Sequence, residues 1–152
     1  MSVKRSMGVR PGLQASGRID SMEVSLSVSD AHTNSYDTIE FDTVEHDTGG
    51  WFDTTAHSWT PNVSGFYVHN INLRFSGSEV WYMTFYDVTG ASSLLNKQRY
   101  NVYISSYGAY WSWSWWLEAG NAYDIRLYTT NSSSINAVAD SRLWVVGPMV
   151  TT

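Results

Sequence analysis

The stretch from Ile39 to Val68 constrains the fold more than any other part of the chain. It runs Ile39-Glu40-Phe41-Asp42-Thr43-Val44, a polar turn ending at Gly50, then Trp51-Phe52-Asp53, and finally Trp59-Thr60-Pro61-Asn62-Val63-Ser64-Gly65-Phe66-Tyr67-Val68. Short apolar runs that alternate with glycine and proline corners are too brief for helices and have the spacing of a β-sandwich with Greek-key crossings. Proline withholds a ladder donor, so Pro61–Gly65 predicts a corner rather than the middle of a strand.

The rest of the chain repeats this grammar. Met22, Val24, Leu26 and Val28 alternate with Glu23, Ser25, Ser27 and Ser29, the period of a half-buried strand. Further strands are expected over Asp37–Val44, at Trp51-Phe52, and over His57–Thr60, Phe66–Phe75, Glu79–Tyr86, Leu94–Ser105, Tyr110–Leu117, Ala122–Thr130 and Arg142–Val150. Residues 31–35 and 131–140 are expected as polar loops. The expected architecture is all-β, a roughly ten-stranded antiparallel sandwich, with no convincing helix. Eight Trp, ten Tyr and five Phe supply strand-forming bulk, and 152 residues suffice to bury roughly 70% of the unfolded surface without staples.

Residues 1–22 break the pattern. They are polar, contain Gly8, Pro11, Gly12 and Gly17, and show neither a strand nor a helix period. The expected division is an extended basic arm over residues 1–22 and one domain over residues 23–152. The arm carries Lys4, Arg5, Arg10 and Arg18 against Asp20, whereas the remainder carries five basic and thirteen acidic residues. An acidic body argues against a nucleic-acid surface, which needs clustered Lys and Arg. No run approaches the ~20 apolar residues of a membrane span, and no apolar run of signal-peptide length follows the first basic residues. The absence of cysteine excludes disulfides, thiolate metal sites and cysteine nucleophiles.

Several short motifs together resemble the tumour necrosis factor and complement 1q jelly-roll superfamily. Thr38–Val44 is similar to its apolar-x-Phe-x-x-Val strand, Gly50-Trp51-Phe52-Asp53 to its turn before an aromatic-Asp pair, and Trp59-Thr60-Pro61…Gly65-Phe66-Tyr67-Val68 to its Pro-Gly-x-Tyr corner. Leu117-Glu118-Ala119-Gly120-Asn121 resembles the turn before the penultimate strand, and Leu143-Trp144-Val145-Val146 the closing strand. The match covers about residues 23–150. The resemblance implies a TNF-like jelly roll that assembles as a homotrimer. A short basic arm in place of a collagen-like stalk or membrane anchor makes the chain similar to bacteriophage virion surface proteins.

That resemblance frames the candidate sites. Val3, Lys4, Arg5, Met7, Val9, Arg10, Leu13 and Arg18 are the expected shell-attachment side chains of the arm, with a major capsid protein or another shell protein as partner. Trp111, Trp113 and Trp115 share one strand face and are expected to fill the core with Leu117. Placing Leu117 inside by the resemblance sends Tyr110, Ser112, Ser114 and Trp116 to the opposite face, where trimers of the family meet. The expected role is a trimeric capsid decoration or cement protein of the virion surface, made in the host cytoplasm. The alternative is a receptor-binding knob for host glycan, with Trp51, Trp81 and Tyr107 as contact rings.

Catalysis is not expected. His46, Asp47, Asp53, His57 and Ser58 supply triad residue types, but such residues are common in turns and no strained nucleophile turn accompanies them. His46, His57 and His69 lack zinc-site spacing, and Asp42, Glu45, Asp47 and Asp53 do not follow a calcium-loop order, so neither metal nor cofactor is expected.

Overall fold

A computed structural model describes residues 19–32, 35–76, 80–95, 98–101, 108–129 and 135–149. The strands in chain order are β1 (Asp20–Ser25), β2 (Asp30–His32), β3 (Asp37–Thr38), β4 (Thr43–Asp47), β5 (Phe52–Asp53), β6 (Ser58–Trp59) and β7 (Gly65–Ser76). They continue as β8 (Val80–Asp87), β9 (Ser92–Ser93), β10 (Gln98–Asn101), β11 (Gly108–Leu117), β12 (Tyr123–Thr129), β13 (Ile135–Ala137) and β14 (Arg142–Met149). Among the described residues no helix is long and apolar enough to cross a membrane.

Among the described residues the strands form two antiparallel sheets of seven. In the first, β7 is central: β11 lies along one edge, and on the other β14 pairs with Phe66–Asn72 before β13 takes Phe75 and Ser76. The ladder then continues from β14 to β1 and β4, and β2 closes onto β13. The second sheet runs β10-β8-β12-β6-β5, with β3 added to β12 and β9 to β8. This is the expected all-β jelly-roll sandwich, with more and shorter strands: β2 and β13 occupy parts of the stretches expected as polar loops, and β1 ends at Ser25 rather than Ser29, since the Ser27 amide and hydroxyl turn to the Asp42 carboxylate and Val28 is left exposed.

Two departures are physical. The expected strand Asp37–Val44 is a crossing between sheets: β3 pairs with β12 in the second sheet, whereas β4 pairs with β1 in the first. Between them Ile39 N donates to Ile125 O, Phe41 N bends back onto Ile39 O, and Asp42 N reaches Ser25 O. Ile39 and Phe41 are both buried in the core, so apolar alternation here records a buried corner rather than one ladder. The other departure is at the start, where β1 opens at Asp20, two residues ahead of Met22. Residues 20–22 of the expected arm therefore belong to the sheet, and the shell-attachment side chains from Val3 to Arg18 lie outside the described residues.

The corner and the closing turn hold each other. Gly120, at φ +82°, takes a left-handed conformation that glycine adopts without steric cost, and its N donates to Pro61 O. The Ser64 hydroxyl donates to Glu118 Oε2 and accepts from Ala119 N, while the Tyr123 hydroxyl accepts from Glu118 N. Gly65 lets the corner meet β14, since a Cβ there would stand 2.6 Å from Pro148 Cβ.

The core between the sheets is aromatic. Trp59 lies parallel to Phe85 at 5.7 Å, and His69 lies parallel to Trp113 at 5.0 Å. His69 also packs at 5.0 Å on Phe85 and 5.8 Å on Trp59, which ties the first sheet to the second. Trp111 is buried and Trp113 and Trp115 pack against the core, so the odd-numbered tryptophans face inward.

Burial in this cage depresses the His69 pKa from 6.5 to about 3, and the nearby Trp113 and Tyr67 backbone groups only partly oppose that effect. The unfolded chain takes up this proton near pH 6.5 and the folded chain only near pH 3, so between those values the unfolded state binds more protons. The His69 contribution to stability is thus complete above about pH 6.5 and is lost as pH falls toward the folded value. Urea unfolding between pH 6.5 and 4.5 should show the parent losing up to about 1.4 kcal/mol per pH unit more than a His69→Phe variant. Parallel pH profiles for the two proteins would refute the assignment.

Candidate functional site

Period-two alternation in β7, β11 and β14 gives the first sheet an outward face with an apolar patch toward the start of β7. In register, Trp116 stands opposite Phe66, Ser114 opposite Val68, Ser112 opposite Asn70 and Tyr110 opposite Asn72. On the other edge of β7, Val146 faces Val68 and Trp144 faces Asn70. Trp116 is 44% exposed and meets the Phe66 ring edge-on at 5.3 Å, while its indole N–H is held by Glu118 Oε1 at 2.8 Å. Tyr110 is 63% exposed and its hydroxyl donates to Asn70 Oδ1 at 2.7 Å. A polar border limits the patch on the β1 side, where Arg142 Nη1 pairs with Glu23 Oε1 at 2.6 Å and Ser21 Oγ lies 2.6 Å from His46 Nε2.

All four residues expected at a trimer interface, Tyr110, Ser112, Ser114 and Trp116, thus lie on this one outward face. Sequence reasoning missed Phe66, Val68, Trp144 and Val146, which complete it. Their signal is that Phe66-Tyr67-Val68 in β7 and Leu143-Trp144-Val145-Val146 in β14 are apolar on both faces, where a sheet solvated on one side alternates with polar residues.

The expected glycan rings fare differently. Trp51 is a core residue, 4% exposed and packed edge-on against Tyr67 at 5.4 Å, so it offers no surface for a sugar. Burial wins because Trp51 sits under the Gly49-Gly50 turn, where a Cβ on Gly49 would lie 2.1 Å from the indole nitrogen. Trp81 belongs to β8, opposite Tyr100 and Thr129 in register, and its side chain is outside the described groups. Tyr107 lies outside the described residues.

The triad and metal residue types do not converge. His69 is in the core, and Asp53 is occupied by the Thr55 and Ala56 amides, which hold its carboxyl below the usual range. His57, at φ +52°, donates from Nδ1 to Phe41 O at 3.0 Å. Asp42 accepts from the Ser27 amide and hydroxyl. Among the described residues no three His, Asp or Glu side chains form a group that could hold a metal ion.

A second surface was not expected at all. On the outward side of the second sheet, Tyr36 stacks on Tyr128 at 4.8 Å and 19°, and Tyr82 leans on Tyr128 at 5.9 Å. The Arg126 guanidinium lies 3.5 Å above the Tyr86 ring, and its Nε is fixed by Asp124 Oδ1 at 3.0 Å and Oδ2 at 3.1 Å. Thr38 Oγ1 donates to the same Asp124 carboxylate. These groups border two adjoining hollows. The smaller, about 220 Å³, is lined by Tyr36, Thr84, Tyr86, Ser93 and Arg126; the larger, about 500 Å³, shares Tyr36 and Arg126 and adds Asp30, Asp37, Glu40 and His57 among others. Asp30 accepts from Glu40 N and lies against His32 Nε2, and these contacts outweigh its burial to lower its pKa. Thr84 is 2% exposed, and its hydroxyl has no hydrogen-bond partner among the described residues. The sequence signal for this surface is that Tyr82 and Tyr86 alternate with the core residues Met83 and Phe85, leaving aromatics outside as well as inside.

The fold is therefore a jelly roll of the tumour necrosis factor and complement 1q type. The globular domain of a zebrafish complement 1qA protein superposes with a TM-score of 0.62 at 12% identity, covering 88% of this chain and 99% of that one. Murine APRIL superposes with TM-scores of 0.57 in a pH 8.5 crystal and 0.60 in a pH 5.0 crystal, at 11% and 9% identity, covering 85% of this chain and 98% of APRIL in each case. No protein-family model matches the sequence, and comparison with curated proteins gives no significant match.

A buried hydroxyl without a partner costs about 1–3 kcal/mol, which replacement by an isosteric apolar group removes. Thr84→Val should therefore raise unfolding stability in urea by about 1 kcal/mol. A loss of similar size would mean that the hydroxyl is satisfied in solution.

Proposed function

We propose that this chain is a non-enzymatic structural protein of a bacteriophage virion, a capsid decoration or cement protein that assembles as a trimer through the outward face of the first sheet and attaches to the shell through its basic N-terminal segment. The observation that carries the assembly step is the exposed Trp116–Phe66 pair, from which an outward apolar patch continues through Val68, Val146 and Trp144 to a polar border on the β1 side. An aromatic cluster rimmed by ion pairs is the usual anatomy of a protein–protein contact. Unpaired in water, such a face is a liability that self-association removes. The attachment step rests on the charge division between a basic segment of residues 1–22 and an acidic remainder. Three such segments on one trimer raise a weak contact by about 10² to 10⁴ through effective concentration.

The alternative, a receptor-binding knob that takes host glycan on Trp51, Trp81 and Tyr107, loses the ring it named first, because Trp51 is buried. The assembly reading keeps all four of its residues on one face.

Sedimentation equilibrium of the full chain should return three chain masses, and Trp116→Ser should shift the population toward the single chain by at least about tenfold in dissociation constant, as loss of an aromatic anchor does. A parent protein that sediments as a single chain would refute the assembly. Deleting residues 1–18, which leaves β1 intact, should abolish co-sedimentation with virion shells of the cognate phage while the trimer persists. Equal loading of the shortened trimer would remove the attachment role.

A further inference from the structure

The outward side of the second sheet carries a site that the structural role does not use. We infer that the hollow formed by Tyr36, Thr84, Tyr86, Ser93 and Arg126 binds a neutral pyranoside, with the adjoining larger hollow taking a second sugar unit.

The polar groups around it set the ligand's chemistry. Arg126 spends its Nε on Asp124, but its Nη atoms make no hydrogen bond among the described residues, so a rigid fork of donors remains beside the Tyr86 ring. The Thr84 hydroxyl is buried at the hollow without a partner, and buried polar groups are otherwise almost always satisfied. A rotation of this side chain toward the hollow would let a ligand hydroxyl supply the missing partner and recover a desolvation cost already incurred on folding. On the far side of Tyr36 and Arg126 stand the acceptors Asp37 and Glu40.

An anion entering this pair of hollows would meet those carboxylates, in a chain whose net charge is already −5. A cation would meet the Arg126 guanidinium. A neutral ligand with many hydroxyls satisfies both sides, because each hydroxyl both donates and accepts. Tyr36 and Tyr86 line the smaller hollow, each with one face already covered, by Tyr128 and by the Arg126 guanidinium respectively, so the C–H face of a pyranose packs on what is left of each ring. Its volume of about 220 Å³ suits a single ring, below the range of about 300–1,000 Å³ typical of drug-sized ligands. A disaccharide would extend past Arg126 into the larger hollow, lined by Asp37 and Glu40.

This inference is independent of shell attachment, and its test reads binding by the isolated full chain. Saturation-transfer NMR would be run with maltose, cellobiose, lactose and chitobiose, each at about 10 mM, a concentration suited to the weak affinity of a small open site. At least one should show transfer to ring C–H protons and bind with a millimolar dissociation constant. Thr84→Val should weaken it about tenfold, the equivalent of one lost hydrogen bond, and Tyr86→Ala at least as much. Trp116→Ser, on the opposite sheet, should leave it unchanged. Because Thr84→Val removes a buried unpaired hydroxyl, the variant folds and its loss of binding is interpretable. Transfer from none of the four sugars would overturn the inference, and so would binding that survives Thr84→Val and Tyr86→Ala undiminished, since the sugar would then sit elsewhere.

Discussion

The aromatic packing that joins Trp59, Phe85, His69 and Trp113 is the interaction on which the other surfaces depend. These four rings come from β6, β8, β7 and β11, two strands from each sheet, and they meet at centroid distances between 5.0 and 5.8 Å. Because side chains alternate along a strand, fixing one inward ring fixes the outward ones. With His69 and Trp113 inside, Phe66 and Trp116 must face out. With Phe85 inside, Thr84 and Tyr86 must face out. A one-residue slip would exchange every one of these positions, and the cost of exposing a tryptophan and burying the Ser112–Ser114 pair prevents it. Core packing and surface chemistry are here the same constraint seen from two sides.

Much of this order could be read from the chain. Alternation over Met22–Ser25, the Pro61–Gly65 corner and the Gly120 turn each mark what they form, because proline, glycine and period-two burial act locally, whereas the alternation that runs on to Ser29 outlasts the strand and leaves Val28 exposed. The odd-numbered tryptophans could be assigned inward because aromatic burial dominates a core, and Leu117 by the resemblance of its turn. The crossing at Ile39–Phe41 was not legible. A residue buried between two sheets looks the same in sequence as one buried beneath a single ladder, and only the partner strands Ile125 and Ser25 distinguish them. Trp51 shows the converse limit: an aromatic beside glycines suggests an exposed loop ring, whereas here the glycines leave room for the ring to be covered.

The tyrosine-lined hollows were invisible for a different reason. They assemble residues from the loop before β3, from β8, from β9 and from β12, and no local spacing unites Tyr36, Thr84, Ser93 and Arg126. What the sequence does carry is the abundance of aromatic residues. The chain has twenty-three aromatic residues, and among the described ones several lie on the outward faces of both sheets as well as in the core. The two outward groups differ in polarity. On the first sheet Trp116 and Phe66 present edges and faces with little hydrogen-bonding demand beyond Glu118. On the second, rings alternate with an arginine fork and an unpaired hydroxyl, an arrangement that burial against another protein copy would leave unsatisfied.

That difference in polarity relates the two surfaces energetically. A hollow of about 220 Å³ that engages one sugar ring through a few hydrogen bonds can contribute only a few kcal/mol, hence millimolar affinity at a single site. Such a site is of little use to an isolated chain. A trimer held together through the first sheet would carry three of them on its opposite, outward-facing sheets, and simultaneous engagement of a surface dense in saccharide multiplies weak contacts by effective concentration rather than by any new interaction. In such an assembly the apolar face would do more than hide hydrophobic surface: by fixing three copies in one orientation it would convert a site too weak to act alone into one with useful avidity. Weakening assembly should therefore lower avidity for a saccharide-coated surface while leaving affinity for a free disaccharide intact, which separates the two surfaces by thermodynamics as well as by position.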